Sequence, residues 1–304
     1  MRFFQNARVK GKNSFLDFIF TVVVTIGFYF ITSLPFLIYS MVGGASGTEL
    51  QSYQGPVAFA LMLFIFSGIL FGLLVATRRI HRRSALSVLT GAKTFRWHHL
   101  VKAGGMWLVV LTAMELVGYA VAPDMYTFQL DLWPFLALLC VAILVLPFQT
   151  SAEEVMMRGY LMQQIGLVSR YRWMPILITS ILFGMLHGGN PEVVQFGMAK
   201  SMTLYIGMGL FFGIATIMDD GLETPLGIHY VNNFFAFVLV GYKGSVFSGV
   251  PTLILKESED LTWGAVILNV AVMVIVLLVF KRYFNWPTFN YLLGRIRGSH
   301  SSEL

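Results

Sequence analysis

Apolar runs of about twenty residues, separated by short polar or charged stretches, recur along nearly the whole chain. A helix needs about 20 predominantly apolar residues to cross a bilayer. Runs of that kind fall near 15–42, 56–76, 100–122, 132–154, 173–190, 198–218, 225–241 and 261–280. The pattern predicts an all-α polytopic membrane protein of about eight transmembrane helices, in one integral membrane domain over 1–304. The limits are least sharp around 173–200, where Gly188-Gly189-Asn190-Pro191 should break a helix at depth. Irregular backbone there is tolerated only when buried in protein or lining a water-filled cavity, so a polar cavity is expected nearby. The first run is preceded by Arg2, Arg8, Lys10 and Lys12 and followed by small residues at 43–47, as in a signal peptide. A signal core spans about 7–15 residues. Phe15 to Val42 is far longer and reads as a retained span.

Composition supports this. Of 304 residues, 57% are hydrophobic and 12% charged, against about 25% charged in soluble domains. Mean hydropathy is +0.73. The net charge of +6 is placed unevenly: 17 of the 21 Lys and Arg lie in 1–14, 77–99, 158–172 and 281–304. The intervening loops hold Glu49, Asp124, Asp131, Glu192, Glu257, Glu259 and Asp260, with Lys243 and Lys256 as cations. The positive-inside rule then puts both termini in the cytoplasm, in a cell membrane, most simply a bacterial plasma membrane. Only the acidic stretch Asp219-Asp220-Gly221-Leu222-Glu223 sits awkwardly on that side, and acidic residues count little in the rule. The segment 78–99 is expected as a basic amphipathic or solvated loop, and 281–304 as a loose tail. All six tryptophans fall near proposed span ends, as interfacial rings do. Cys140, the sole cysteine, reads as a core residue and excludes an intramolecular disulfide. The basic residues flank apolar spans without any nucleic-acid-binding motif, so the partner expected is the lipid bilayer and not nucleic acid.

Three stretches carry chemistry. Glu153-Glu154-Val155-Met156-Met157-Arg158 follows a long uncharged run, where an ionisable group costs about 2.5–3.5 kcal/mol or more. At i and i+4 Glu154 and Arg158 share a helix face and can pair. Glu153 points about 100° away from Glu154. Phe183 to His187 and His229 to Asn233 are two more i, i+4 pairs in apolar company. If the chain turns near Arg170, Glu154 and His187 lie at equal heights, about 25 Å from the turn. Early in its span, His229 shares a level with Glu153. The other histidines, His81, His98, His99 and His300, sit in polar segments and read as solvated. A carboxylate withdrawn from water can act as a base, and Asn or His N–H groups can donate to an oxyanion. No serine or cysteine nucleophile stands beside these groups, so the chemistry fits attack on an amide by an activated water. An inter-helix hydrogen-bond network without catalysis is the plainer alternative. Glu115, alone in the third run, could line the cavity but reads as a buried group hydrogen-bonded to a neighbouring helix.

These stretches resemble the CPBP (ABI) family of intramembrane proteases, which includes the type II CAAX prenyl proteases and bacterial bacteriocin-processing and self-immunity proteins. Its pattern is Glu-Glu-x-x-x-Arg, Phe-x-x-x-His and His-x-x-x-Asn or Asp. The likeness covers about 149–240. It implies an eight-helix endopeptidase acting on a peptide or membrane-protein substrate near the cytoplasmic face, with a catalytic core at 149–240. In that reading Glu153 activates water with His187, His229 and Asn233 hold the oxyanion, and Glu154 and Arg158 are a supporting pair. No cofactor is required. The His-Glu-x-x-His zinc helix is absent, although Glu153, His187 and His229 could offer zinc three ligands. A prenylated substrate does not carry over. Other readings of the pocket are a non-catalytic regulator or immunity protein, or an ion- or proton-coupled transporter, for which no inverted repeat is visible.

Overall fold

The computed structural model describes residues 2–9, 11–42, 55–245, 249–257 and 260–296. Lys10, the stretch 43–47, Glu49, Glu259 and His300 lie outside them. The fold is a helical bundle, and each predicted span contains helix. The helices are α1 (Phe3–Val9), α2 (Phe15–Val42), α3 (Pro56–Arg79), α4 (Leu86–Leu89), α5 (Trp97–Val121), α6 (Leu132–Leu144) and α7 (Leu146–Glu154). They continue with α8 (Met162–Val168), α9 (Trp173–Leu186), α10 (Pro191–Phe196), α11 (Met198–Asp219), α12 (Glu223–Phe234), α13 (Trp263–Tyr283) and α14 (Asn290–Leu293). Among the described residues, six stretches are long and apolar enough to cross a membrane: α2, α3, α5, the run Leu132–Val168, α11 and α13. The apolar helix α9, at 14 residues, is shorter. The seventh predicted run is divided: α12 passes into a π-helical turn, Phe235–Leu239, and then a strand.

That strand, β2 (Val240–Tyr242), joins β1 (Tyr126–Phe128) and β3 (Ile254–Lys256) in a small sheet ordered β1-β3-β2. β3 runs antiparallel to β1, with Thr127 opposite Leu255, and parallel to β2, with Gly241 opposite Leu255. The sheet caps the bundle at the end away from the basic segments.

Alternation of buried and lipid-type surface follows the helices. Val23, Phe30, Ile38 and others along α2 are exposed, as are Ile267, Leu268 and Ile275 on α13. Apolar side chains facing outward on long helices are what a lipid solvent stabilises. Inside, Trp107, Phe183, Phe211, Phe212 and Phe280 form one core cluster. Close helix approach is enforced by small residues. A Cβ on Gly227 of α12 would strike the Leu100 carbonyl of α5, and one on Gly209 of α11 would lie 2.9 Å from the Ser180 Cα of α9. These two contacts fix the helices that carry the site.

Several surface expectations change. The segment 78–99 is packed rather than solvated. His81 is fully buried and bonds Thr21 Oγ1, Tyr160 OH and the Lys12 carbonyl. Arg83 is buried with its Nη1 donating to Gln163, and burial lowers its pKa to about 10. The acidic stretch 219–223 is where this segment docks. Glu223 takes two bonds from the Arg96 guanidinium, at 3.0 and 2.8 Å, and Asp219 pairs with His99 at 2.8 Å. His99 is therefore half-buried and paired. The N-terminal helix seats its first backbone N–H groups on Asp220. Trp286 of the tail is buried with its indole N–H on Asp219, so residues 281–296 are docked, not loose. Buried carboxylates on a basic face are explained by these cations, which charge counting along a sequence cannot see. Cys140 is exposed on α6, on the outer surface of the bundle rather than in its core. Trp107 lies mid-helix and buried, hydrogen-bonded to Asn232, unlike the terminal Trp97, Trp133, Trp173 and Trp263.

Candidate active site

The end of α7 carries the charged stretch. Glu154 and Arg158 are fully buried, with Arg158 Nη1 donating to Glu154 Oε1 at 3.1 Å. The guanidinium also donates to the Gly209 carbonyl at 3.2 Å and lies 4.4 Å from the Phe183 ring centre. The predicted i, i+4 pair is therefore present, and it is held between aromatic faces. Immediately after Glu154 the helix widens into a π-helical turn, Val155–Leu161. Such turns recur at functional sites. A second one follows Phe234, one residue past Asn233. Both motifs thus lead directly into widened backbone.

Besides Arg158, two polar side chains, His229 and Gln149, meet Glu153 and Glu154. The His229 Nδ1 donates to Glu154 Oε1 at 2.8 Å, and its Nε2 lies 3.6 Å from Glu153 Oε2. The ring is stacked on Phe212, 4.9 Å away, which fixes its plane. With Nδ1 committed to Glu154, Nε2 attracts the Glu153 carboxylate only when it carries a second proton. Gln149, one turn before Glu153, donates to Glu153 Oε1 and accepts from Asn233 Nδ2 at 3.1 Å. One amide therefore locks the base candidate to the oxyanion-donor candidate. Sequence reasoning missed Gln149; its i−4 spacing from Glu153, at the end of an uncharged run, was the available signal. Glu153 Oε2 is buried and has no hydrogen-bond partner among the described residues, leaving an acceptor aimed at the space beside His229.

His187 is not part of this contact set. It caps α9, its Nδ1 donates to the Phe183 carbonyl at 2.7 Å, and its ring stacks on Tyr205 at 4.7 Å. Equal height along a hairpin does not fix the direction a side chain faces. Here the termination of α9 at Leu186 turns the ring toward α11. Phe183 lies between the two histidine rings, 4.4 Å from His187 and 6.2 Å from His229. Among the described residues no three His, Cys, Asp or Glu side chains gather closely enough to hold a metal. Glu153, His187 and His229 thus do not fit a zinc site in this arrangement, since two of the three face each other and the third points away.

The break after α9 is present as expected; the α10 that follows it lines, through Glu192 and Phe196, a cavity of about 650 Å³ whose walls are mainly apolar and not polar as expected. The cavity lies at the sheet end of the bundle, between the end of α5 and the starts of α11 and α13. Tyr205 and Asn232 line it. Tyr205 is the residue stacked on His187, and Asn232 donates to Asn233 Oδ1 at 3.2 Å. Nearby, Glu115 accepts from Tyr126 OH at 2.7 Å, from Lys256 Nζ at 2.8 Å and from Tyr242 OH. Glu115 is indeed a hydrogen-bonded group, but its partners come from the sheet.

The bundle thus buries Glu154, Arg158 and His229 in one hydrogen-bonded set beside Glu153. Residues 131–235 match the model of the Rce1-like type II CAAX prenyl endopeptidases, a protease family, which bears out the resemblance read from the three motifs. The chain is also similar to YyaK, described as an uncharacterized protein, of Bacillus subtilis strain 168. The two are 27% identical over 265 residues, covering 84% of this chain and 88% of the relative. No solved structure matches.

Proposed function

We propose that this protein is an intramembrane endopeptidase that hydrolyses a membrane-associated peptide without a metal. The observation that carries the proposal is the Glu153 carboxylate. One oxygen is fixed by Gln149, and the other is buried, without a partner among the described residues, and 3.6 Å from His229 Nε2. A water bound there would be oriented by both groups. Glu153 takes a proton from the water as its oxygen attacks the scissile carbonyl carbon. The developing oxyanion accepts from the protonated His229 Nε2 and from the Asn233 amide. When the C–N bond breaks, Glu153 returns the proton to the leaving amine. Glu154 and Arg158 hold His229 in place. His187 lines the approach beside Tyr205 and is given no proton transfer. The family match supports proteolysis; a prenylated substrate is not part of the proposal. Residues 149–240 form the catalytic core within a single membrane domain, with both termini in the cytoplasm of a bacterial cell.

The test is direct. Purified protein in proteoliposomes is incubated with a pool of quenched apolar peptides, and the products are read by mass spectrometry. Paired fragments that add up to a substrate plus one water are expected. No cleavage of any peptide, with intact folding, would leave the pocket to a regulatory or transport role.

A further inference from the structure

We propose that Trp107 of α5 is a positioning residue for the site: through a one-way chain of hydrogen bonds it sets the orientation of the Asn233 amide and of the Glu153 carboxylate. The proposal rests on the endopeptidase reading and adds a residue from outside the matched stretch 131–235. Trp107 Nε1 donates to Asn232 Oδ1 at 3.3 Å, and Asn232 Nδ2 donates to Asn233 Oδ1 at 3.2 Å. Asn233 Nδ2 then donates to Gln149 Oε1 at 3.1 Å, and Gln149 Nε2 donates to Glu153 Oε1. Close packing of α5 on α12 brings the first two members together. A Cβ on Gly104, one turn before Trp107, would lie 3.0 Å from the Gly227 carbonyl oxygen. The indole is buried, and its ring centre is 5.4 Å from that of Phe211, so the N–H has little freedom to turn elsewhere.

The two ends decide the direction. An indole N–H can only donate, and a carboxylate serving as a base can only accept. Each side-chain amide between them has an accepting oxygen and a donating nitrogen, so taken alone it can lie either way round. With a donor at one end and an acceptor at the other, a single arrangement of the amides satisfies every bond. In it Gln149 gives Glu153 an N–H, and Asn233 faces Gln149 with its nitrogen. The second hydrogen on that nitrogen is the one left for an oxyanion. Reversed, Asn233 would present an oxygen where the oxyanion needs a donor, and Gln149 would set an oxygen against Glu153 Oε1. Glu153 stops being acceptor-only when it takes the proton from water, which is when the oxyanion forms. Trp107 stays donor-only throughout, so it holds the direction at that moment.

Two measurements separate this role from packing. In the peptide-cleavage assay Trp107→Phe, which keeps an aromatic ring and removes the N–H, should lower kcat by about tenfold with KM nearly unchanged, as when a remote change misplaces a reacting group. Combined with Gln149→Leu, which already cuts the chain, it should cost no more than about twofold further, because members of one hydrogen-bond network do not act independently. Fully additive losses would make Trp107 a packing residue and overturn the proposal. The second measurement needs no substrate. Full-length protein in nanodiscs carries nitrogen-15 at its glutamine side-chain amides, and the Gln149 resonance is identified by its loss in Gln149→Leu. That resonance should shift in Trp107→Phe, three hydrogen bonds away. Asn232→Leu breaks the same link from the other side and should also shift it, which keeps the test decisive if Trp107→Phe fails to fold. An unmoved Gln149 resonance in a folded variant would overturn the proposal. A shifted resonance in a protein whose wild type cuts nothing would instead sink the endopeptidase reading and leave the chain of bonds standing.

Discussion

At the scale of single residues, the site depends on who holds each carboxylate. Gln149 touches both Glu153 and Asn233, so it positions the proposed base and the proposed oxyanion donor at once. Gln149→Leu, close in size but unable to hydrogen-bond, should lower kcat by about 10–100-fold, of the order seen when a positioned group is lost, with KM nearly unchanged. Its unfolding midpoint should stay close to wild type; equal loss of kcat and stability would make Gln149 merely structural. A second residue-scale effect lies outside the spans. Burial lowers the His81 pKa from 6.5, so the folded state resists a proton that the unfolded chain accepts. Stability is complete above the unfolded value and falls as pH drops below about 6.5, levelling once the folded value is passed. Thermal unfolding in detergent should show that decline, and His81→Gln should flatten it. An unchanged pH slope in the variant would remove His81 as its source.

At the scale of elements, much was legible. Each of the eight apolar runs contains helix, and six stretches among the described residues reach the length a bilayer demands. The i, i+4 spacings place Glu154 on Arg158. What the sequence hid is non-local. The π-helical turns after Glu154 and Phe234 have no compositional signature, and the end of α9 decides that His187 faces Tyr205 instead of Glu153. Trp107 and Cys140 traded the surroundings expected of them because an apolar helix gives no strong periodicity to say which side faces protein. His229 illustrates the middle case: its level beside Glu153 could be read, but its bond to Glu154 could not. That bond ties α12 to α7. Glu154→Gln strips charge from the carboxylate that faces both Arg158 and His229. Leaving a buried cation without its partner costs about 3–5 kcal/mol. The variant should fold in poor yield and unfold at markedly lower temperature, as measured by thermal denaturation in detergent. A variant that folds normally yet is inactive would exchange the roles proposed for the two glutamates.

At the scale of the whole molecule, the basic segments share one end and the sheet and cavity occupy the other. With Cys140→Ser as background, a cysteine at exposed His98 should label only from the cytoplasmic side of intact cells, and one at exposed Leu130 only from outside. The reverse pattern would invert the bundle. All the elements converge on one carboxylate: α7 supplies it, α12 brings His229 and Asn233, and α9 and α11 clamp the arginine behind. The most direct test of that convergence is the hydrolysis rate of a cleaved quenched peptide by wild type and by Glu153→Gln, both dialysed against a strong chelator until zinc is below stoichiometric. Wild type should retain its rate, and Glu153→Gln should lose at least about a thousandfold while keeping the wild-type unfolding midpoint, because the amide keeps the shape and cannot take the proton. A wild-type rate lost on chelation and restored by one equivalent of zinc, or near-normal turnover by Glu153→Gln, would contradict it.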